Sequence, residues 1–406
     1  MSGGILMPAC RGRGSIGPNC TFLALSATLV AISPPLIVIT TDDRRIPSSL
    51  RRFARGSSPV SAVREVVLNA QLAGMLLKSG CTFLLAFGMA LYLVPRLRDA
   101  ALAMNIVDKP DGRLKTHRQP IPYLGGLGVY LAFLVALAVT FEFDREVLGL
   151  ILSGTIVLLL GLIDDFRALT PGVKFIGQIL AAGVLIKSGI YIKLVFLPAW
   201  AAIPLTVLWV VAVTNAFNII DIMDGLSSGV AFCASLPLVV VAFVNGRLMI
   251  AIVTLALAGA LLGFLRFNFH PSQIYLGDTG SMFIGLMMAS LAMQGSYTGA
   301  NVLAAICPGI ILGVPLFDML FVMYIRWRRG VPVVLGSPDH FALRLRKWRL
   351  TTPQTVLVSY AATLVFGAVA LGMMHLPLVP AAVLFGVVAL VLLVVALLLK
   401  RIDMKL

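Results

Sequence analysis

Asn215-Ala-Phe-Asn-Ile-Ile-Asp-Ile-Met-Asp-Gly225 closes one long apolar run and opens the next. Within it Asn218, Asp221 and Asp224 stand three residues apart. On a helix each step of three falls about 60° short of a full turn, so the three polar side chains share one face roughly 120° wide. The same residues also suit a helix end, because Asn, Asp and Gly favour caps and turns. In a soluble chain that capping reading would suffice. At the rim of a bilayer, carboxylates are expensive and mark a site, so what surrounds the stretch decides between the two readings.

The surroundings are apolar. The chain has 406 residues, 59% hydrophobic and 12% charged, with a mean hydropathy of +1.00. This composition predicts an all-α integral membrane protein, in which the unit of organisation is the span of about 20 apolar residues. The net charge of +15 reads as basic loops on one membrane face rather than a nucleic-acid surface. Cys10, Cys20, Cys81, Cys233 and Cys307 lack paired spacing, which argues against a disulfide framework or a zinc site.

Residues 1–71 form an N-terminal extension with an apolar run near 21–40, broken by Pro34-Pro35, followed by a basic stretch. A signal core, an extra span and a start site placed too far upstream all fit it. From there to the end, 72–406 reads as one polytopic domain with eleven candidate spans: 72–94, 121–141, 147–163, 173–190, 199–216, 226–245, 248–266, 281–298, 302–325, 355–375 and 377–400. Alternating topology puts Arg96, Arg98, Lys109, Arg113, Lys115 and Arg118 on the same face as the Arg326–Arg349 loop and the C-terminal tail. The other face offers only Arg145, Lys193 and Arg247 in its short loops, so the first is predicted to be cytoplasmic. Of fourteen acids outside the extension, only Glu142, Asp144 and Glu146 fall on the external side. Acidic motifs gathered at one face predict a cytoplasmic-face active site in a cell (inner or plasma) membrane.

Three further stretches carry chemistry. Asp164-Asp165 ends the third span, and adjacent carboxylates need a cation or basic partner. Asn268-Phe-His-Pro-Ser-Gln-Ile-Tyr-Leu-Gly-Asp278-Thr-Gly-Ser281 joins two spans; its glycines allow close backbone approach, and Tyr275 suits a flat base. Together the five acids Asp164, Asp165, Asp221, Asp224 and Asp278 call for a hard cation. Mg²⁺, which takes one or two carboxylates plus substrate phosphate oxygens, is the natural partner, with Mn²⁺ as an alternative. The loop Asp108–Gly126 is basic and turn-rich, with Lys115, His117 and Arg118 as phosphate-binding candidates. Positive-inside placement explains its charge but not its Pro-Tyr-Leu-Gly-Gly ending.

The ordered set of DKPDGRLKTHRQPIPYLGG, a span ending in DD, NAFNIIDIMDG, FNFHPSQIYLGDTGS and PLFD at Pro315–Asp318 resembles the polyprenyl-phosphate N-acetylhexosamine-1-phosphate transferase family, which includes the phospho-N-acetylmuramoyl-pentapeptide transferases. The resemblance covers roughly 75–400. It implies an Mg²⁺-dependent transfer of a sugar 1-phosphate from a UDP-sugar to a polyprenyl phosphate, releasing UMP, and it allows a homodimer. Carried over by motif, Asp278 is a metal ligand and Asp164 a base beside Asp165. Asn218, Asp221 and Asp224 bind the nucleotide and diphosphate, with Asn218 also assigned to the metal. Asn268, Tyr275 and Arg118 hold the uracil. A covalent aspartyl intermediate is a rival mechanism.

The sequence departs from the family at Asp339-His340-Phe-Ala-Leu-Arg344-Leu, where relatives carry a histidine-rich run. His340 and Arg344 are the substrate-binding candidates that remain there, and the pentapeptide branch becomes the less favoured alternative. An Asp-rich prenyltransferase expects two similar motifs, and an ion-coupled transporter expects acids at mid-membrane in opposed repeats; neither pattern is visible.

Overall fold

The computed structural model describes residues 59–108, 121–141, 143–332, 338–402 and 404. The chain divides into two units at Leu77 and Lys78; the helix Pro59–Ala103 begins in the first, and the packing and the site described below belong to the second. The helices are α1 (Pro59–Ala103), α2 (Gly125–Thr140), α3 (Arg145–Phe166), α4 (Pro171–Lys187), α5 (Ala199–Ile220), α6 (Leu226–Val244), α7 (Leu248–Asn268) and α8 (Gly277–Ala292). After a 3-10 turn at Val302–Ile306 come α9 (Cys307–Ile311), α10 (Gly313–Arg328), α11 (Phe341–Lys347), α12 (Thr352–His375) and α13 (Leu378–Lys400).

Each expected span falls on a helix or a broken pair. Length and composition nonetheless qualify only seven helices as membrane-crossing, or eight if the pair Val302–Ile311 and Gly313–Arg328 counts as one. The expected span 302–325 is therefore not one rod, since that pair bends by 79°. The break has an ordinary cause: Pro315 has no N–H to give the preceding turn, and Gly313 weakens it further. Helices α2, α4 and α8 have 16, 17 and 16 residues. At about 1.5 Å per residue each is shorter than a hydrocarbon core of about 30 Å. The expected count of eleven is not established by these lengths.

The centre of the bundle is α8, buried from Thr279 through Ala292 and packed by α2, α3, α5 and α6. A helix surrounded in this way must be apolar on all sides. At the other extreme α13 buries only Ala381, Val388 and Leu399, so its aliphatic surface is left for lipid. Hydroxyls inside the bundle bond carbonyls one turn back, as at Thr254, Ser290, Ser359 and Thr363. That satisfies them where no water is at hand.

One small feature is not helical. Strands β1 (Val107–Asp108) and β2 (Ile121–Pro122) pair antiparallel, Val107 opposite Pro122. Pro122 O then accepts from Tyr275 N at 2.9 Å. The two ends of the 109–120 loop are thus fastened together and to the segment that leads into α8.

Candidate active site

The N-terminus of α8 is where the acids meet. Its first amides lack helical partners, and Asp165, at the end of α3, supplies them. Asp165 Oδ1 accepts from Asp278 N at 2.8 Å, and Oδ2 accepts from Thr279 N at 3.0 Å and Thr279 Oγ1 at 2.6 Å. The carboxylate is held by the positive end of the helix. Asp165 therefore caps and aims the helix that carries Asp278, and its oxygens are committed to that work.

From the opposite side, the α2 start closes in on the same turn. Gly125 N donates to Tyr275 O at 3.0 Å, and Gly126 N to Leu276 O at 2.9 Å. A Cβ on Gly126 would stand 2.1 Å from Gly280 N, so only glycine permits this approach. The paired glycines that charge placement left unexplained are a docking surface for the Asp278 turn.

Lys174, in the first turn of α4, stands between two carboxylates. It pairs with Asp164 Oδ2 and lies 2.6 Å from Asp278 Oδ2. Asp164 Oδ1 also accepts from Leu169 N at 2.6 Å, and Asp278 Oδ1 accepts from Asn218 Nδ2 at 2.9 Å. One turn along α4, Gln178 receives Asn215 Nδ2 at 2.6 Å. Thus Lys174 and Gln178, spaced i and i+4, present one polar face to the ends of α3, α5 and α8. Side-chain exposure separates the two acids, at 9% for Asp164 and 31% for Asp278. Asp278 is the one open to a ligand, while Asp164 is covered and holds Lys174.

The opening stretch is split by the structure. Asn218 lies on α5, whereas Asp221 and Asp224 lie past its end, in a turn where Gly225 takes φ +73. The common helical face expected for the three residues therefore stops at Ile220. The carboxylate of Asp221 has no hydrogen bond or ion pair among the described residues. Burial pushes its pKa well above the usual carboxylate range, and nearby Asp278, Asp165 and Asp224 push the same way. Asp224 instead takes His270 Nδ1 at 2.7 Å, Ser272 Oγ at 2.9 Å and Ser272 N at 3.2 Å.

Asn268, expected at the uracil, is buried, and its amide bonds within the protein: Oδ1 accepts from Gly225 N and Ser228 Oγ, and Nδ2 donates to Ile274 O. It fastens the Asp221–Gly225 turn to the loop before α8. Tyr360 of α12 adds a second fastening, donating to Gly225 O at 2.5 Å. Tyr275 is half-buried, its ring 6.2 Å from that of Tyr123 and tilted by 48°.

His340 and Arg344 belong to a separate, buried network. His340 Nδ1 meets Asp318 Oδ2 at 2.8 Å, and Asp318 Oδ1 accepts from Phe341 N at 2.8 Å. Arg344 is 1% exposed; it donates to Asp339 Oδ1 and to the carbonyls of Leu399 and Ile402. Its guanidinium thereby ties Asp339 to the carbonyls at the end of α13. Lys115, His117 and Arg118 lie outside the described residues.

The sequence reading missed Lys174, His270, Ser272 and Tyr360. Lys174 had a signal, a lone ammonium at the start of an apolar helix. His270 sat unremarked inside a quoted motif, and Tyr360 had no signal in its local pattern.

The donors suit a hard cation. Among the described residues no group of three His, Cys, Asp or Glu side chains converges on one point, but Mg²⁺ asks for only one or two carboxylates. Asp278, the unpartnered carboxylate of Asp221 and Asn218 Oδ1 are oxygen donors of that kind at one mouth.

Comparison with known proteins adds the lineage. The model of glycosyl transferase family 4 matches residues 147–296, the segment from α3 past α8. A probable undecaprenyl-phosphate N-acetylglucosaminyl 1-phosphate transferase of Bacillus subtilis is 32% identical over 70% of this chain and 82% of its own. A decaprenyl-phosphate N-acetylglucosaminephosphotransferase of Mycobacterium tuberculosis is 30% identical, over 67% of this chain and 77% of its own. A phospho-N-acetylmuramoyl-pentapeptide-transferase of Halalkalibacterium halodurans is 30% identical, over 66% and 89%. With most of each relative's length matched, and all five acids inside the segment that the family model matches, the chain belongs to glycosyl transferase family 4.

Proposed function

We propose that this membrane enzyme transfers N-acetylhexosamine 1-phosphate from a UDP-sugar to a polyprenyl phosphate, releasing UMP, at the cytoplasmic face of the plasma membrane. The observation that carries the reading is the Asp164–Lys174–Asp278 bridge at the mouth of the bundle, together with relatives named for polyprenyl-phosphate substrates. The basic residues Arg96 and Arg98 of α1 and Arg326, Arg328 and Arg329 at the end of α10, which alternating topology assigns to one face, support the cytoplasmic orientation.

In this reading an oxygen of the lipid phosphate attacks the β-phosphorus of the donor. The bond from that phosphorus to the bridging oxygen breaks, and UMP leaves with the electron pair. Two anionic reactants must approach each other, so the protein's task is positioning and charge neutralisation. Lys174 supplies a fixed positive charge beside Asp278. Asp165 holds the α8 N-terminus so that Asp278 faces the mouth, and Asp164 keeps Lys174 in place. Mg²⁺, when bound by Asp278 with Asn218 and Asp221, would neutralise the diphosphate oxygens. Tyr275 offers its face to the uracil.

The test is turnover by the solubilised full-length protein with undecaprenyl phosphate, Mg²⁺ and a panel of UDP-sugars. Lipid-dependent release of UMP that disappears in Asp278→Asn is expected, and the productive donor names the sugar. Release of UDP would sink the reading, because that is ordinary sugar transfer.

A further inference from the structure

His270 is the exposed end of a polar chain that begins at Asp224. The Asp224 carboxylate already accepts three hydrogen bonds, from Ser272 Oγ, Ser272 N and His270 Nδ1, out of about four it has room for. Its side chain is 20% exposed, against 42% for His270. What this corner of the mouth offers a ligand is therefore imidazole, with the carboxylate behind it.

The pairing also fixes the chemistry of the imidazole. A carboxylate only accepts, so in the neutral ring Nδ1 carries the hydrogen and Nε2 keeps its lone pair. An acceptor nitrogen backed by a negative charge repels phosphate oxygens and wants an O–H or N–H donor. Of the parts of a nucleotide sugar, the diphosphate has only acceptors to offer; the hydroxyls of the ribose, those of the hexose with its amide N–H, and the uracil N3–H are the donors, and the position of His270 in the chain decides among them.

The loop that bears His270 is also tied to the catalytic turn. Asn268 bonds Gly225 N on one side and Ile274 O on the other, and the loop continues into Tyr275 and Asp278. A ribose lies between base and diphosphate, and His270 stands on the one loop that carries candidates for both.

We infer that His270 contacts the donor, its Nε2 accepting a hydrogen bond from a ribose hydroxyl, and that Asp224 acts through it as a positioning residue. This rests on the reading that the donor is a UDP-sugar. Asp224, assigned by motif to direct nucleotide binding, then owes its effect to the ring it orients.

The experiment compares kcat/KM for the UDP-sugar with its 2′-deoxy and 3′-deoxy analogues, in the full-length enzyme and in His270→Ala, His270→Gln and Asp224→Asn. The unmodified enzyme is expected to favour the intact donor over at least one analogue by about five- to tenfold, the worth of one hydrogen bond. His270→Ala should lose that preference through a raised KM for the intact donor, with kcat nearly kept. Asp224→Asn should lose it too, and the double variant should lose no more. His270→Gln, which retains an acceptor oxygen, should recover part of it. A preference that survives in His270→Ala, or an equal loss on all three donors, would overturn the contact. Absence of UMP release by the unmodified enzyme would overturn the donor reading and this inference together, an outcome distinct from either of the others.

Discussion

Replacing Gly126 by alanine is expected to disable the site without touching any acid. The added Cβ would lie 2.1 Å from Gly280 N, 2.2 Å from Gly280 Cα and 2.9 Å from Leu276 O. All three are backbone atoms, so no side-chain rotation relieves the contact. Ordinary contact lies at 3.4–4 Å, and the starts of α2 and α8 must therefore part by roughly 1 Å, a misplacement that costs about 100-fold in rate. The same movement stretches the bond from Gly126 N to Leu276 O, now 2.9 Å, one residue before the turn of Gly277 and Asp278. Overpacking of this kind destabilises by about 1–3 kcal/mol, so the protein should still fold, with a lowered melting temperature. The assay is UMP release at saturating donor and lipid, beside thermal unfolding in the same detergent. Gly183→Ala is the control: nothing lies within 4 Å of a Cβ there, and alanine is the better helix former by about 1 kcal/mol. If Gly126→Ala keeps its kcat within about threefold of the parent, well under 1 kcal/mol in barrier, the α2–α8 contact does not set the position of Asp278 and the reasoning fails.

Four other outcomes follow from the geometry. Lys174→Met should leave Asp164 and Asp278 facing each other without their shared cation, and UMP release should fall by at least about 100-fold; near-parental turnover would remove Lys174 from the site. Asp165→Ala removes the acceptor of three bonds at the α8 start, and should cost about 1–2 kcal/mol of stability together with activity; a loss of activity at unchanged melting temperature would point to direct chemistry instead. Burial raises the pKa of Asp221, so the folded protein holds this proton to higher pH than the unfolded chain does. Stability from the protonated acid is full below the unfolded value of about 3.8 and is lost as pH rises through the raised one. Asp221→Asn should therefore melt higher than the parent at pH 8 in EDTA, with the gain fading in acid, while turnover is lost; equal melting at pH 8 would contradict the burial argument. Arg344→Ala leaves Asp339 with Arg329 as its cation but takes a donor from the carbonyls of Leu399 and Ile402, a loss of about 1–3 kcal/mol for each acceptor left unsatisfied, to be read from thermal unfolding; a stable Arg344→Ala that fails only in donor binding would return Arg344 to the substrate.

Sequence by itself determined the class of molecule and the identity of most acids. Hydropathy is a sum over neighbours in the chain, and a run of about 20 apolar residues has one use; the seven long apolar helices were legible for that reason, whereas the count of eleven spans is not established. The acidic motifs were legible because an ionised side chain at the membrane rim is costly enough to require a purpose. What the sequence could not give was the work each polar group does, because that depends on partners far away in the chain. Asp164 and Asp165 are adjacent and alike, yet Asp165 caps a helix that begins at Gly277, while Asp164 grips Lys174. Asn268 and Arg344 read as ligand-binding groups, and only the packed bundle shows the partners they hold within the protein, Gly225 N on the Asn268 amide oxygen and Leu399 O on the Arg344 guanidinium. His270 came into view only through a carboxylate 46 residues earlier. Helix formation is local and its signals are local. A hydrogen bond across the bundle is decided by how helices pack, and only the tertiary structure holds that information.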